Sequence, residues 1–515
     1  MLFNSFEYLI FLPIVFLLYW FIFDYALSKC KHQLWLQNLF IVVASYIFYG
    51  WWDWRFLILI AITTFCSWGS GLLIGRREGE EAMRRAGEEA KEKNTPYTLH
   101  LTQKPNFWPR FWLISNIILN LSILGVYKYY DFFAREFAAL LGIESDFLLL
   151  HLILPVGISF YTFQALSYSI DVYRGHIQPT KDIVAFTAFL SFFPQLVAGP
   201  IERATNLLPQ FQRKRTFDYA QAVDGMRQIL WGLFKKIVIA DNCAVYVDQV
   251  WATYDTQSGS TLLLAAILFT FQIYGDFSGY SDIAIGTAKL FGIKLMRNFN
   301  VPYFSRDIAE FWRRWHISLT TWFRDYVYIP LGGSRPDTSS PHRLFALSPA
   351  AYTKCIALRN TFIIFVLSGF WHGANWTFIV WGIYHALLFV PLLLMDKNRR
   401  YVHQKINASE WPRMLLTLML VMVGWVLFRA PSIADAWGYI CGICSMSIWS
   451  IPSLITDYLL WFTLLMIVLM IAIEWRGREQ DTAPLPHNRW VYYAIVLLIY
   501  WFATDKTTEF IYFQF

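Results

Sequence analysis

Cysteine and charge are both scarce in this chain. Its six cysteines, Cys30, Cys66, Cys243, Cys355, Cys441 and Cys444, are scattered over 515 residues, mostly in or beside apolar stretches, so no disulfide framework is legible. Cys441 and Cys444 form a CxxC, but a lone one, with neither a second pair nor histidines nearby, does not make a metal or redox centre. Charged residues are only 15% of the chain, and the net charge of +7 is spread over the segments between apolar runs. Bases dispersed in this way form no continuous groove, which gives no support to nucleic-acid binding and fits loops facing anionic lipid. A Gly-rich phosphate loop, HExxH and GxSxG are all missing, and with them the signatures of nucleotide hydrolysis, zincin chemistry and a serine-hydrolase elbow. The ten-residue alternating strands of a membrane barrel are absent, as is any internal duplication that would mark an inverted-repeat transporter.

What the chain has instead is apolar surface. Hydrophobic residues make up 57% of it and aromatics 19%, more than a water-exposed surface tolerates. A helix needs ~20 residues to cross ~30 Å of hydrocarbon. Apolar runs that approach this length are 5–23, 35–53, 56–75, 108–126, 147–170, 183–199, 227–247, 261–275, 278–293, 355–371, 376–395, 412–429, 455–474 and 490–503. The run 183–199 is closed by Pro194 and Pro200, and 227–247 carries Lys235, Lys236 and Asp241, so these read as re-entrant or interfacial. The expectation is an all-α polytopic membrane protein, one domain over 1–515, with about ten to twelve crossings.

The first run, MLFNSFEYLIFLPIVFLLYWFIF, lacks a basic leader and a small-residue cleavage site and reads as a retained span. Residues 76–110 carry Arg76, Arg77, Arg84, Arg85, Lys91, Lys93, Lys104 and Arg110, and the positive-inside rule puts them in the cytoplasm. Counting back through three spans then places the N terminus outside. Within this insert EGEEAMRRAGEEAKEKN mixes acids and bases among strong helix formers, which suits a solvated helical extension.

Three polar constellations stand out from this background. The first is FQIYGDFSGYSDIAIG, residues 271–286, where Asp276, Ser278, Tyr280 and Asp282 interrupt apolar sequence. Carboxylates at membrane depth face a cavity or a partner, because exposing them to hydrocarbon is costly. Ser278 and Asp282 would share a helix face, and Gly275 and Gly279 permit tight packing or a break. The four are candidates for lining a substrate cavity; a helix cap in which the carboxylates bind backbone N–H groups accounts for them as well.

The second lies in 297–350, a segment expected at the cytoplasmic face, where RNFNVPYFSRDIAEFWRRWHISLTTWFRDYVYIPLGGSR sets six arginines among dense aromatics. Arg306, Arg313, Arg314 and Arg324 recur near a helical period, as suits a helix lying in the interface. Guanidinium forks also bind phosphates, so Arg313 and Arg314 are candidates for a phosphorylated donor, with lipid headgroups the plainer partner. His316 sits where the apolar side of the segment turns inward.

The third is FVLSGFWHGANWTFIVWGIYHALLF, residues 365–389. His372 follows Trp371 and precedes Gly373, Ala374 and Asn375, small and polar residues that break a helical run. His385 comes thirteen residues later, about 3.6 turns on, in the body of the next span, and reads as a packing or supporting residue.

WHGANWTFIVWGIYH, FWRRWHISLTTWFRDYVYIPLGG, IYGDFSGYSDIAIG, VAGPIER, the opening MLFNSFEYLIFL and the final FIYFQF together resemble the membrane-bound O-acyltransferases, in the branch of the alginate O-acetyltransferase membrane subunit. The resemblance covers nearly the whole chain apart from the insert near 76–106. It implies many helices around a funnel, with a tunnel joining the cytosol to the outer face. It also implies that His372 is the essential histidine and His316 the second signature histidine. Acetyl-coenzyme A in the cytosol is the implied donor, with no bound cofactor and no metal. The acceptor is implied to be an extracytoplasmic polysaccharide such as alginate, reached directly or through a partner of the SGNH-hydrolase type, with the bacterial inner membrane as the location.

Chemistry fits these roles independently. A hydroxyl that attacks a thioester must lose its proton, and a neutral imidazole is the usual group to take it, so His372 is expected as general base. A donor such as His316, Asn375 or a freed backbone N–H would meet the developing oxyanion, and Trp371 would line the substrate. No cysteine lies in these motifs, so direct attack without a covalent enzyme intermediate is the simpler course. The teichoic-acid D-alanyl transferases are the neighbouring possibility. A secondary transporter is the alternative outside enzymology, disfavoured by the missing repeats.

Overall fold

The computed structural model describes residues 1–89, 107–197, 199–333, 348–402, 404–480, 482–503 and 510–511. Residues 90–106 of the charged insert and 334–347 of the 297–350 segment lie outside the described residues. The described residues are helical throughout, with no strand among them. They divide into two compact units, the first of residues 1–197, 201–217 and 291–294, the second of 198–200, 218–290 and 295–515.

The first unit contains α1 (Phe6–Leu17), α2 (Gln33–Gly50), α3 (Phe56–Glu89), α4 (Phe107–Leu124), α5 (Tyr130–Leu141), α6 (Ile158–Tyr173), α7 (Ile183–Ser191), α8 (Phe193–Leu196) and α9 (Ala204–Phe211). Its helices are tied by side-chain amides and hydroxyls, the natural adhesive where lipid offers no hydrophobic drive between helices. Asn116 of α4 accepts from Ser67 of α3 at 3.2 Å and donates to Ser169 of α6 at 2.8 Å. Arg215 is buried and donates to Tyr19, Gln37 and Asn38.

The second unit contains α10 (Tyr219–Leu233), α11 (Asp241–Trp251), α12 (Gly259–Leu290), α13 (Ile308–Arg314), α14 (Ile317–Phe323), α15 (Pro349–His372), α16 (Trp376–Leu394), α17 (Trp411–Arg429), α18 (Ile433–Ile443), α19 (Tyr458–Gly477) and α20 (Arg489–Phe502). The apolar runs 261–275 and 278–293 are not two elements but the single 32-residue α12. Its glycines admit a neighbour and do not break the helix: a Cβ on Gly279 would lie 2.8 Å from the Gly232 carbonyl, and one on Gly232 2.5 Å from the Gly279 carbonyl. The lysines of the π-helical turn Phe234–Ala240 are buried against α12, where Lys236 pairs with Asp276 at 2.7 Å and Asp241 at 2.8 Å, and Lys235 with Asp282 at 2.5 Å.

Eight helices among the described residues are long and apolar enough to cross a membrane, or nine if Ile433–Ile443 and the bent continuation Met446–Thr456 form one span. Several of the runs read as spans fall below that length and hydropathy among the described residues. The 16-residue α6 buries Gln164 and Asp171, α2 buries Gln33, Gln37 and Asn38, and α20 has 14 residues. The helix expected within 297–335 is interrupted. It is broken into α13 and α14 at His316, whose backbone adopts a left-handed φ of 42°.

Candidate active site

All three histidines of interest lie in the second unit and are buried. His372 is the last residue of α15, and Asn375 starts α16 by accepting from the Thr377 N–H at 3.0 Å, so WHGAN is a true break between two helices. Gly373 is fixed by packing, since a Cβ there would fall 2.1 Å from the Phe378 ring. The other amide end of Asn375 donates to the Pro431 carbonyl at 3.0 Å, which commits this side chain to holding the break.

His316 caps α14 from the α13–α14 joint. Residues 298–300 run beside that joint, with the Ile317 N–H donating to the Asn298 carbonyl at 2.8 Å and the Asn300 N–H to the Arg314 carbonyl at 2.9 Å. The Asn298 side chain lies 3.1 Å from His316 Nδ1. Burial in an apolar setting pushes the His316 imidazole down to about 3, so it is neutral at physiological pH.

Indole rings join the histidines. Trp371 lies 6.0 Å from His316 and 4.9 Å from His372; Trp381 lies 5.2 Å from His372 and 4.9 Å from His385. Although thirteen residues separate them, His372 and His385 therefore share one indole, because the break at Gly373 resets the helical phase. Trp312 donates from Nε1 to His385 Nδ1 at 3.4 Å, which accounts for His385 as a packed, supporting residue.

A cavity of about 560 Å³ opens beside this wall, lined by Trp312, Arg313, Arg324, Phe365, Ser368 and Arg399 among others. Trp312 and Phe365 are also the rings against His385. Arg313 gives Nη1 to the Asn398 carbonyl at 2.8 Å, and its buried Nη2 has no hydrogen-bond partner among the described residues. Arg314, by contrast, pairs with Glu310 at 2.9 Å. Of the two arginines singled out from sequence, only Arg313 lines the cavity.

The α12 residues go elsewhere. Asp276 takes Lys236 and the Ile511 N–H, Ser278 donates to the Tyr274 carbonyl, Tyr280 packs on Phe510, and Asp282 takes Lys235 and Gln228. Helix α12 reaches His316 through Phe277, at 4.7 Å, and through Ser281, which accepts from Asn298. Asp282, Ser281 and Asn298 also line a smaller polar cavity of about 140 Å³ with Lys235, Arg297 and Glu474. Sequence reasoning missed Asn298, although it stands in the quoted RNFN, and it missed Trp381, an apolar residue among many. Among the described residues no group of three His, Cys, Asp or Glu side chains is placed to hold a metal.

Comparison with known proteins places this arrangement. Residues 176–348, which include His316 and stop short of His372, match the model of the membrane-bound O-acyltransferase family. The chain is 37% identical over 422 residues to a probable alginate O-acetylase, AlgI, of Pseudomonas aeruginosa, covering 81% of this chain and 72% of that protein. It is 34% identical over 464 residues to a peptidoglycan O-acetyltransferase of Helicobacter pylori, covering 85% and 78%. A teichoic acid D-alanyltransferase of Bacillus subtilis is 29% identical over 286 residues, covering 54% and 69%. Identity of this extent, sustained over most of both chains, means common descent and a common fold: the chain is a multi-pass membrane acyltransferase and belongs to the membrane-bound O-acyltransferase family.

Proposed function

We propose that the protein transfers an acetyl group from cytosolic acetyl-coenzyme A to a hydroxyl of an extracytoplasmic polysaccharide, directly or through an SGNH-hydrolase-type partner. The longer matches favour this over D-alanyl transfer, since the relatives named as O-acetylating enzymes align over 422 and 464 residues and the named D-alanyltransferase over 286. The observation that carries it is that Trp371 packs against both His316 and His372, in the same unit as an arginine-lined cavity whose wall includes Ile317 and Ser368, near those histidines in the chain.

In this reading Arg313, Arg324 and Arg399 hold the phosphates of the donor at the cavity, where the unpaired Nη2 of Arg313 is available for a charge-assisted hydrogen bond. Trp312 and Phe365 receive the apolar part of the donor arm. His372 takes the proton of the attacking hydroxyl as its oxygen bonds to the thioester carbon; the C–S bond then breaks, and the imidazolium returns the proton to sulfur. A second reading, in which His316 accepts that proton, is favoured by the fixed hydrogen bond at its Nδ1. The membrane is taken to be the bacterial inner membrane, with the N terminus outside and the basic stretch 76–110 inside.

The test is thiol release and labelled acetyl transfer by detergent-purified protein given acetyl-coenzyme A, with and without candidate polysaccharides. Wild type should turn over while His372→Ala, folded and inserted, should not. Undiminished turnover by His372→Ala removes that residue from the chemistry, and a donor preference for D-alanyl thioesters removes the acetyl assignment.

A further inference from the structure

We infer that Asn298 is a positioning residue that fixes the tautomer of His316, holding its hydrogen on Nδ1 and presenting the Nε2 lone pair to the reaction. The inference rests on the reading in which His316 accepts the hydroxyl proton. It follows from the order in which donors and acceptors can be assigned.

A backbone N–H only donates. The Ser318 N–H lies 3.3 Å from one end of the Asn298 side-chain amide, so that end is the oxygen. The Ser318 hydroxyl donates to the same oxygen at 2.9 Å, and the opposite end, the NH2, donates to Ser281 Oγ at 3.0 Å. His316 Nδ1, 3.1 Å from that oxygen, therefore meets an acceptor and carries the hydrogen. In a neutral imidazole the other nitrogen is then an acceptor. Amide and imidazole are also held together through the main chain, because the Ile317 N–H binds the Asn298 carbonyl next to the left-handed turn at His316. A non-glycine residue in that conformation is strained and persists where its surroundings over-determine it, as they do here.

The rings against His316 include Phe277, Phe299 and Trp371. Of the ionisable groups on the packed elements, Asp276 and Asp282 are each bound to a lysine and Glu310 to Arg306 and Arg314; Tyr274, Tyr280 and Lys289 of α12, Arg313 of α13 and His372 of α15 stand on the same elements. A neutral His316 so held can receive a proton at Nε2 but cannot donate from it to an oxyanion. The hydroxyl proton moves to Nε2 as the C–O bond forms, and passes to sulfur as the C–S bond breaks, leaving the proton balance unchanged. The role of oxyanion donor falls to another group.

The tautomer can be read directly. In full-length protein labelled with 15N-histidine, the signals lost in His316→Gln should show, for wild type at pH 7, a protonated Nδ1 and an unprotonated Nε2; the reverse assignment overturns the inference. In turnover, Asn298→Leu should lower kcat about 100-fold while leaving KM for acetyl-coenzyme A unchanged. Asn298→Asp still accepts from Nδ1–H and adds a charge that favours the imidazolium. It should recover most of the rate and move the acid limb of the kcat profile to higher pH. If His316→Gln keeps full turnover, proton acceptance by His316 fails and the inference with it. If His316→Gln is inactive but Asn298→Leu keeps wild-type kcat and pH profile, Asn298 has no positioning role. Should Asn298→Leu not fold, the 15N signals of wild type and the pH profile of Asn298→Asp decide.

Discussion

Single residues divide between chemistry and architecture by what already holds them. Arg313 and Arg314 are adjacent in sequence, yet one has an unpaired buried nitrogen at a cavity and the other is taken up by Glu310. Arg313→Gln should raise KM for acetyl-coenzyme A about tenfold, the size expected for loss of one charge-assisted bond, with kcat nearly unchanged. Arg314→Gln should leave KM alone and lower the unfolding midpoint in detergent; equal KM effects would refute the distinction. Sequence could single out both arginines, since both are of a type that binds phosphate, and the Glu310–Arg314 pair lies at a local helical offset, but the cavity at Arg313 is formed only through tertiary packing. Histidines 316 and 372 were legible because an ionisable ring in apolar sequence is conspicuous. Asn298 was not, because a polar residue in a loop-like stretch has no such contrast.

At the scale of elements, buried charge joins helices. Lys236 stands between Asp276 of α12 and Asp241 of α11, so Lys236→Met removes the cation that these two buried carboxylates share. Removing one partner of a buried pair costs about 3–5 kcal/mol, and the midpoint of urea or thermal unfolding should fall accordingly, with partial recovery in the triple variant that also carries Asp241→Asn and Asp276→Asn. A second ionic group carries a pH signature. Burial opposes the charge on Glu310, but the hydrogen bonds and charges of Arg306 and Arg314 outweigh it and hold the carboxyl below its ordinary 4.5. A carboxyl depressed by folding stabilises above its unfolded value and loses that contribution as the pH falls through the folded value. Unfolding midpoints should therefore decline below about pH 4.5, less steeply in Glu310→Gln; an identical decline in both would refute it. The same elements mark what sequence pattern could convey. Glycines in an apolar run signal either a break or a close approach, and the pattern 275–279 carried no information on which, since the approaching backbone comes from residues 232–235.

For the whole molecule, composition alone was enough for class: a chain with so much apolar and so little charged side chain is a helical membrane protein. Hydropathy does not distinguish protein from lipid as the apolar neighbour, so a run such as α6, most of whose residues are buried in protein, reads in sequence like a span. The division into two units left no trace in composition, since it depends on which helices pack together. Orientation is open to direct measurement. Cysteines placed in 90–106 of a cysteine-free background should react with an impermeant maleimide only after the cytosolic face is opened; labelling of intact cells would reverse the assigned topology.

The indoles that join the histidines also make the site visible to light. Trp371 and Trp381 touch His372, and Trp312 borders the larger cavity. A donor arm seated there changes the surroundings of these chromophores, so intrinsic emission becomes a signal of occupancy that needs no added label and no turnover. With 24 tryptophans in the chain the signal must be isolated by difference, and the emission change on adding acetyl-coenzyme A should shrink in Trp312→Phe while it persists in a variant of a remote indole such as Trp54→Phe. The enzyme can then be watched while loaded and idle, before any acceptor is known.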